Sequence, residues 1–482
     1  MSTNTFITKS DYLAFLESPR HLWAIKNAVP QLPYDPLALH QMEDGKRAER
    51  LAYDYLVDLV KTRPGCRLLY QQNFEDGPYH TRIDFLIHDT LSNTYDLIEA
   101  KSSTGLDKAK HLPDLAFQLA ILQKHLEVSR CYVLHLNEDY RRDGELELDK
   151  LFVLADVSDD VKNTTLDVIL DRAQALCVAQ LENPTEAEHC YNPRQCPYPD
   201  ICHPNQPDDS IYNIAYLRAN KKRELLDLGV RDINDVPDDF PLNAKQRRIV
   251  DCAKNGHIHV EHHELARLFE TFEYPLWFLD YESCISAIPL FDGHQPQQQV
   301  LFQYSLHKIA KPGADLEHFE FLSFTPGNPY PHLMESLRHH LGETGTIFAW
   351  HKSFESSRNK ELAQLFPEHA AFMDSVEARL FDLEDIPKEH IYYHPGFKGR
   401  SSIKVVLPTL IPELSYNELP INQGSKASVA WWRMNAGEMD ETERVKTQQD
   451  LLDYCHLDTL AMVKLFEFFQ NVLHSGESGK TS

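Results

Sequence analysis

Three residues in the first quarter of the chain have the types and spacing that hydrolysis of a phosphodiester bond requires. Asp84 lies in a predicted strand over residues 81–88, and Glu99 and Lys101 lie two residues apart in a second predicted strand over 94–101. Side chains two apart in a strand share a face, and a hairpin between the strands brings Asp84 beside them. Two carboxylates can hold a hard divalent cation, the cation lowers the pKa of an attacking water, and the lysine can orient that water.

An ordinary surface hairpin with a Glu/Lys pair would contain the same three residues, so the flanking helices decide the interpretation. A predicted helix before the hairpin carries Glu49, and an amphipathic helix after it carries Gln118. In this order the residues resemble the PD-(D/E)XK nucleases of the RecB-like type. The resemblance implies that Glu49, Asp84 and Glu99 bind Mg²⁺ or Mn²⁺, that Lys101 is catalytic, and that Gln118 supports the catalytic site.

Three of the nine cysteines, Cys190, Cys196 and Cys202, are evenly spaced in a segment rich in Pro and Asn. Thiolates at this density favour a soft-metal site. The segment is similar to the iron–sulfur segment of RecB-like nucleases of the AddB and CRISPR-associated kinds, in which a fourth cysteine comes from near the N-terminus. The resemblance places that fourth position at Ser18, where this chain has no thiol.

The fourth ligand therefore leaves three alternatives open. A 4Fe-4S cluster, which normally uses four thiolates, would take Ser18 or an exogenous group as its fourth ligand. A Zn²⁺ site would add His189 or His203 to the thiolates. The third alternative is a degenerate site that binds no metal.

A second set of acidic residues lies in the other half of the chain. The apolar segment 276–282 is predicted to be a buried strand, and it contains Asp280 and Glu282, two apart and so on one face. Burying two carboxylates is costly unless they are paired or bind a metal. Tyr454 and Asp458 are four residues apart in a predicted helix, so they also share a face. By itself, the helical pair would fit a helix packed in a core.

This second set resembles the DEDDy exonucleases of the RNase H-like superfamily, in which four carboxylates hold two divalent ions. The resemblance implies that Asp280, Glu282 and Asp458 bind Mg²⁺ or Mn²⁺ and that Tyr454 positions the attacking water. The remaining metal-binding acid is either Glu355 or Asp382.

Phrases along most of the chain are similar to bacterial proteins described as domain of unknown function 2779, preceded by a RecB-like nuclease domain. Lys404, within one of these phrases, lies either near the nucleic-acid strand or in a loop that it anchors. The phrases occupy residues 10–13, 135–140, 190–202, 278–282, 302–305, 402–408 and 454–459.

The elements that must position these residues predict an α/β protein with two domains and a short connector. A PD-(D/E)XK restriction-endonuclease-like core is expected over 1–204, a helical connector over 205–272, an RNase H-like exonuclease core over 273–475, and a tail over 476–482. The chain is 42% hydrophobic and has no apolar run of about 20 residues. Without an N-terminal apolar segment typical of a signal peptide, we expect a cytoplasmic protein with no membrane association.

The net charge of −25 argues against a broad surface that coats nucleic acid. It is compatible with a nuclease, because metal-dependent nucleases concentrate carboxylates at their catalytic sites. The expected function is hydrolysis of nucleic acid, with DNA as the partner and exonuclease action, in repair, recombination or defence. Two rivals stay open: a non-catalytic nucleic-acid-binding or iron–sulfur scaffold, favoured by the charge, Ser18 and Glu355, and a protein with one active and one structural half.

Overall fold

Residues 6–188 and 190–477 are described by a computed structural model, which shows a mixed α/β protein. Contacts between Cα atoms divide the chain into two units. The first unit extends to Asn205 and also includes Ser286–Gln298, and the second contains Gln206–Ile285 and the chain from Gln299 onward. The residues predicted as a helical connector therefore fall almost entirely in the second unit, where they also form a short strand.

The first unit combines one mixed sheet with helices on both faces. Its strands are β1 (Ile7–Thr8), β2 (Cys66–Asp76), β3 (Tyr79–Asp89), β4 (Thr94–Lys101), β5 (Val128–Leu136) and β6 (Phe152–Asp156). Its helices are α1 (Lys9–Glu17), α2 (Pro19–Lys26), α3 (Pro36–Lys61), α4 (Lys108–Leu122), α5 (Leu148–Leu151), α6 (Ser158–Ala179) and α7 (Pro199–Cys202).

The sheet of the first unit has the order β1-β3-β4-β5-β6, with β2 on the other edge of β3. The predicted hairpin is confirmed as the antiparallel pair β3–β4. Its turn contains Asn93 at φ 55°, a left-handed conformation that Asn adopts more readily than most residues. β4 and β5 are parallel, and α4 provides the crossover between them.

The two faces of this sheet pack against different helices, and their alternation slips at Asp84. Ile83 and Leu86 belong to the core cluster that contains α4 and α6, whereas Phe85 and Ile87 belong to the cluster that contains α3. A strict two-residue period would place Ile83 and Phe85 on one face.

The segment Ser286–Gln298 completes the first unit although it comes late in the sequence. Ala287 and Ile288 are part of the core cluster on the α3 face. The Ala287 N–H donates to Asp44 Oδ2 at 2.9 Å, and Gln297 Nε2 donates to the carbonyl of Ser102 at 2.7 Å, next to Lys101. This segment therefore braces the end of β4.

The second unit contains a five-stranded sheet and a two-stranded one in the described chain. Its strands are β7 (His259–Val260), β8 (Leu276–Ile285), β9 (Gln299–Ile309), β10 (Leu316–Leu322), β11 (Ile347–Ala349), β12 (Leu380–Asp382) and β13 (Tyr392–Tyr393). Its helices are α8 (Ala219–Asp227), α9 (Ala244–Asn255), α10 (His262–Phe269), α11 (Tyr330–His340), α12 (Ser353–Leu365), α13 (Ala370–Ala378), α14 (Asp385–Lys388), α15 (Ile403–Leu410), α16 (Gly424–Asn435) and α17 (Glu441–Glu477).

The larger sheet of the second unit has the order β10-β9-β8-β11-β12. β10, β9 and β8 are antiparallel, and β8, β11 and β12 are parallel. The predicted apolar strand is confirmed as β8, whose first four residues are buried, and its pairing with β9 shifts register between Glu282 and Ser283. α17 packs on β8 and β9, so the two sequence elements that carry acidic pairs lie against each other.

One glycine of the second unit is required by close packing. Gly345 has φ 88°, and a Cβ atom there would lie 1.9 Å from the carbonyl oxygen of Pro275. Only glycine fits this turn, which leads into β11 beside the start of β8. Within the described residues, no helix combines the length and the apolar content that crossing a membrane demands.

Candidate metal centres

The first candidate site is built on the β3–β4 hairpin. Glu99 is buried, and its Oε1 accepts a hydrogen bond from Lys101 Nζ at 2.8 Å, so these side chains share a face as predicted. Asp84 Oδ2 accepts a hydrogen bond from the N–H of Ala100 at 3.2 Å, which places its carboxylate against β4, at the residue between Glu99 and Lys101 in the sequence. The hairpin thus brings Asp84, Glu99 and Lys101 together.

Helix α4 adds two side chains to the same site. Gln118 Nε2 donates to Glu99 Oε2 at 2.7 Å and to Asp114 Oδ1 at 2.8 Å. Lys101 Nζ contacts Asp114 Oδ2 at 2.5 Å. Gln118 lies where the sequence predicts, but Asp114 was missed. Its position one helical turn before Gln118 is the sequence signal that could have identified it.

Lys9, at the start of α1, is a further residue that sequence reasoning missed. Its Nζ lies 2.7 Å from Glu99 Oε1 and 3.3 Å from Asp114 Oδ1. Ninety residues separate Lys9 from Glu99 in the sequence, and no local pattern connects them. The site therefore contains two ammonium groups, where the sequence indicated one.

Glu49, on α3, lies at the edge of this site. Its Oε1 accepts hydrogen bonds from the Tyr70 hydroxyl at 3.0 Å and from Gln71 Nε2 at 3.1 Å. Its charge contributes to raising the pKa of Asp84, after burial and Glu99. Glu49 is thus held by β2 while its charge acts on the site.

The carboxylates of the first site differ in their affinity for protons. Burial, with repulsion from Glu99, raises the pKa of Asp84 to about 8. Burial alone would also raise the pKa of Glu99, but Lys9 and Lys101 outweigh it and hold that pKa well below its ordinary value. Glu99 is therefore ionised near neutral pH, and Asp84 needs a further positive charge to ionise fully.

The second candidate site lies between β8 and α17. Carboxylate oxygens of Asp280, Glu282 and Asp458 are all within 4.8 Å of one another, so they could hold a metal ion. Glu282 and Asp458 are almost completely buried. The pairs predicted from the strand and helix periods therefore converge on one point.

Glu355, at the start of α12, is a fourth carboxylate whose charge acts on this cluster, although its oxygens lie outside the group of three. It is 2% exposed, and its Oε2 has no hydrogen-bond partner among the described residues. Burial raises the pKa of Glu355 to about 8, and its charge contributes to the raised pKa of both Asp280 and Glu282. A buried carboxylate oxygen without a donor fits a position that faces a cation.

Asp382, the other predicted candidate, accepts hydrogen bonds from the backbone. Its Oδ1 accepts hydrogen bonds from the backbone N–H groups of His351 at 2.9 Å and Glu384 at 3.1 Å, and its Oδ2 accepts one from Lys352 at 3.2 Å. These bonds hold the turn between β11 and α12. The geometry thus favours Glu355 over Asp382 as the metal-facing acid.

Tyr454 is buried beside the acidic cluster and is held by Lys404. Lys404 Nζ donates to the Tyr454 hydroxyl at 3.0 Å and lies 5.1 Å from the centre of its ring. A Cβ atom at Gly424 would lie 3.7 Å from Glu282 Oε2 and 3.9 Å from the Tyr454 hydroxyl, so both groups border the same space. Sequence analysis left the role of Lys404 open, and the structure places it at this site.

Two further residues at the second site were not predicted. The Tyr416 hydroxyl donates to Asp458 Oδ1 at 2.7 Å. The Cys455 thiol lies 3.6 Å from Asp280 Oδ2. Cys455 follows Tyr454 directly, but Tyr416 lies outside any pattern that connects it to the acids.

Burial dominates the electrostatics of the second site. It is the main reason that the pKa of Asp280 stands well above its ordinary value, and repulsion from the neighbouring carboxylates adds to it. It raises the pKa of Glu282 to about 8 and that of Asp458 to about 6, and Lys404 opposes both shifts. Without a bound cation, Asp280 and Glu282 favour protons over charge near pH 7, whereas Asp458 is mostly ionised.

The three regularly spaced cysteines converge with a histidine that sequence reasoning missed. One donor atom each from His21, Cys190, Cys196 and Cys202 lies within 4.8 Å of the others, and all four residues are buried. His21 Nε2 is 3.4 Å from Cys196 Sγ. Three thiolates and one imidazole form a donor set that Zn²⁺ takes in structural sites, so this group could hold a metal ion.

Ser18, which the resemblance placed at the fourth ligand position, lies between α1 and α2, one helical turn before His21. It is buried, and its Oγ has no hydrogen-bond partner among the described residues. His203 is also buried and lies beside the thiols. Hydrogen bonds from Cys196 and Cys202, and then one from His203, lower the pKa of Cys190. His189 lies outside the described residues. The predicted role of Ser18 stays a prediction.

Comparisons with known proteins find one family model that is similar to part of the chain. Residues 277–402 match the family model described as Domain of unknown function (DUF2779). This stretch contains Asp280, Glu282, Glu355 and Asp382, and it ends before α17.

Three curated proteins from Mycoplasma and Ureaplasma are similar to part of the chain. The chain is 26% identical over 214 residues to "Uncharacterized protein MG366 homolog" of Mycoplasma pneumoniae, and the match covers 41% of this chain and 32% of the relative. It is 26% identical over 219 residues to "Uncharacterized protein MG366" of Mycoplasma genitalium, covering 42% and 32%. It is 24% identical over 216 residues to "Uncharacterized protein UU173" of Ureaplasma parvum, covering 41% and 31%. The chain thus spans about a third of the length of these curated relatives. No solved structure matches the chain.

Proposed function

We propose that the protein is a metal-dependent nuclease with two active sites, one in each unit. The observation that carries the proposal is the convergence of Asp280, Glu282 and Asp458, on which the charge of the buried Glu355 also acts. A fold that buries carboxylates this close together must either keep them protonated or supply positive charge between them. Divalent cations held by oxygen ligands supply it.

The charge left at the second site favours a pair of cations. Four carboxylates lie at this site, and Lys404 is the ammonium group that opposes the raised pKa of Glu282 and Asp458. If all four acids ionise, three negative charges remain. One divalent ion leaves one of these charges, whereas two divalent ions balance the three charges together with the single negative charge of a bound phosphodiester. When bound, such a pair stabilises the attacking and leaving oxygens of a phosphodiester and makes water a nucleophile near neutral pH.

The protein groups around the second site have separate tasks in this proposal. Asp280, Glu282, Glu355 and Asp458 hold the cations. Tyr454, fixed by Lys404, orients the attacking water through its hydroxyl, which borders the same space as Glu282 Oε2. Tyr416 fixes the rotamer of Asp458 through its hydrogen bond.

The first site supports a single cation. Four carboxylates, those of Glu49, Asp84, Glu99 and Asp114, lie at or near it with the ammonium groups of Lys9 and Lys101. Two negative charges remain, which one divalent ion would neutralise. Asp84 and Glu99 would hold it, Lys101 would orient the nucleophile, and Gln118 fixes the rotamer of Glu99.

We assign a PD-(D/E)XK-like core to the first unit and an RNase H-like exonuclease core to the second. Two features support this assignment: the order helix acid, strand Asp, strand Glu-x-Lys and helix Gln, and the carboxylates on β8, α12 and α17. DNA is the proposed substrate because RecB-like domains mostly act on DNA. Repair, recombination and defence are processes that would use such an enzyme.

The test is cleavage of end-labelled single- and double-stranded DNA and RNA with Mn²⁺, by protein purified without oxygen. Asp84→Ala and Asp280→Ala are compared with wild type and with Asp139→Ala and Asp315→Ala, two exposed aspartates of the first and second unit. We expect Asp280→Ala to abolish stepwise shortening from an end and Asp84→Ala to remove the remaining cleavage. Both controls should cleave like wild type.

The outcome separates the proposal from its rivals. Loss of all cleavage in one variant alone would leave a single active site and a structural half. Absence of cleavage by the wild type, with its thiolate metal site loaded and on every substrate, would contradict the proposal and favour a scaffold.

A further inference from the structure

Three histidines of the second unit converge outside the acidic cluster. His307 lies on β9, His318 lies directly opposite it on β10, and His456 lies on α17. One ring nitrogen of each lies within 4.8 Å of the others. The three rings also pack closely, with centroids 4.3–4.9 Å apart. The proposed nuclease chemistry uses none of them.

Two hydroxyl groups fix the orientation of the β9 and β10 rings. His307 Nδ1 lies 2.8 Å from Thr459 Oγ1, and His318 Nε2 lies 2.9 Å from Ser305 Oγ. The two hydroxyl oxygens are 2.7 Å apart. Thr459 Oγ1 also donates to the backbone carbonyl of His456 at 3.2 Å.

This chain of hydrogen bonds has one direction, because a carbonyl oxygen can only accept. The single proton of Thr459 goes to the carbonyl of His456, so Ser305 must donate to Thr459 and must accept from His318 Nε2. By the same reasoning, His307 Nδ1 donates to Thr459. Nε2 of His307 and Nδ1 of His318 are therefore left as lone pairs.

The lone pair of His318 faces the third ring. His318 Nδ1 and His456 Nδ1 are 3.4 Å apart. Two nitrogens bound to Zn²⁺ at about 2.0–2.1 Å in a tetrahedron are also roughly 3.4 Å apart. Burial lowers the pKa of His307 to about 3 and that of His318 to about 4. Both rings are thus neutral near pH 7, as a metal requires of its ligands.

We propose that His307, His318 and His456 form a binding site for one borderline-soft divalent ion of the Zn²⁺ class. Imidazole nitrogen is a ligand that such ions prefer, whereas Mg²⁺ prefers carboxylate and water oxygen. The hydroxyls of Thr459 and Ser305 are the outer partners that hold metal-bound imidazoles in place. Three ligands leave a fourth position to water or a further group.

The consequence for the fold is a cross-link between α17 and the sheet. His456 lies between Tyr454 and Asp458 on the helix, so the ion fixes the rotation of α17 at the turn that carries both residues. This inference does not rest on the proposed function, because the ligands and their hydrogen bonds are independent of what the acidic cluster does.

The experiment counts metal ions in the full-length protein. Metal-free wild type is titrated with Zn²⁺ and Co²⁺, bound equivalents are measured by elemental analysis, and zinc X-ray absorption reports the ligand atoms. His318→Ala should lose one equivalent and the nitrogen-only component, while the sulfur-bound equivalent of the cysteine site remains. His332→Ala, an exposed histidine of the same unit, should bind like wild type.

Thr459→Val keeps the side-chain shape but removes the acceptor of His307, so it tests the site without removing a ligand. We expect its affinity for Zn²⁺ at this site to fall by about 10–100-fold, the range for loss of an outer partner. If wild type shows no nitrogen-bound zinc, or if His318→Ala and Thr459→Val both bind as wild type does, the proposal is overturned. A misfolded His318→Ala, recognised by circular dichroism, leaves the wild-type spectrum and Thr459→Val to decide.

Discussion

At the scale of single residues, lysines determine how much charge each acidic site leaves for cations. Lys404 opposes the raised pKa of Glu282 and Asp458 and holds the Tyr454 hydroxyl. In the first unit, Lys9 and Lys101 likewise oppose the effect of burial on the pKa of Glu99. Each ammonium group thus stabilises carboxylates that burial would otherwise protonate.

Replacing Lys404 should therefore impair the second site in two ways. In Lys404→Met, Tyr454 loses its hydrogen-bond donor, and Glu282 and Asp458 lose the positive charge that opposes their raised pKa. We expect the rate of exonuclease cleavage at saturating Mn²⁺ to fall on the order of 10²-fold, as when one preorganised donor is removed. Lys404→Arg should retain more activity because it keeps the charge.

The control for this prediction is Lys311→Met, which removes an exposed lysine from the same unit. Single-turnover rates separate the chemical step from product release. Equal rates for Lys404→Met and wild type would leave Lys404 a structural role on α15 alone.

At the scale of elements, α2 is bound to the cysteine segment by hydrogen bonds as well as by His21. Arg20 donates through Nε to the carbonyl of Ala187 at 3.2 Å and through Nη1 to that of Cys202 at 3.2 Å. Trp23 Nε1 donates to the carbonyl of Leu181 at 2.9 Å. A metal held by His21 and the thiolates would complete the attachment of α2.

Substitutions on α2 should show which residue provides the fourth ligand. We expect His21→Ala to lose the sulfur-bound metal and Ser18→Ala to retain it, as measured by metal content after anaerobic purification. Loss of a structural metal removes folding free energy, so Tm should fall in His21→Ala by roughly 2–4 °C per kcal/mol lost. The reverse pattern, with metal lost from Ser18→Ala, would restore Ser18 as the ligand.

At the scale of the whole molecule, local patterns were predictable and distant contacts were not. The spacing of Asp84, Glu99 and Lys101 was sufficient to predict that they lie together, because one hairpin joins their strands. The strand and helix periods likewise placed Asp280 with Glu282 and Tyr454 with Asp458. These are consequences of geometry over a few residues.

The residues that sequence analysis missed join sites through tertiary packing. His21 meets Cys196 across 175 residues, and Lys9 meets Glu99 across 90. The three histidines come from two strands and a distant helix, so no periodicity connects them. The resemblance also directed attention to Ser18, one turn from the histidine that the structure brings to the thiolates.

The overall charge of −25 makes a further prediction. Nucleic acid and the acidic sites repel each other, so binding should depend on divalent cations at those sites. By fluorescence anisotropy, wild type in Ca²⁺, which takes the same oxygen ligands, should bind single-stranded DNA at least about 10-fold more tightly than in EDTA. Equal affinities in Ca²⁺ and EDTA would contradict it and assign binding to a basic surface away from both sites.

The segment Ser286–Gln298 also has a consequence for how the protein is made. The first unit lacks Ala287 and Ile288 of its core until the ribosome has added the eighty residues 206–285, which belong to the second unit. At about 5–20 residues per second, that interval is on the order of 10 s. During this interval, the core between α3 and the first sheet lacks the contacts of its last two apolar residues, so part of that core is exposed in the nascent chain.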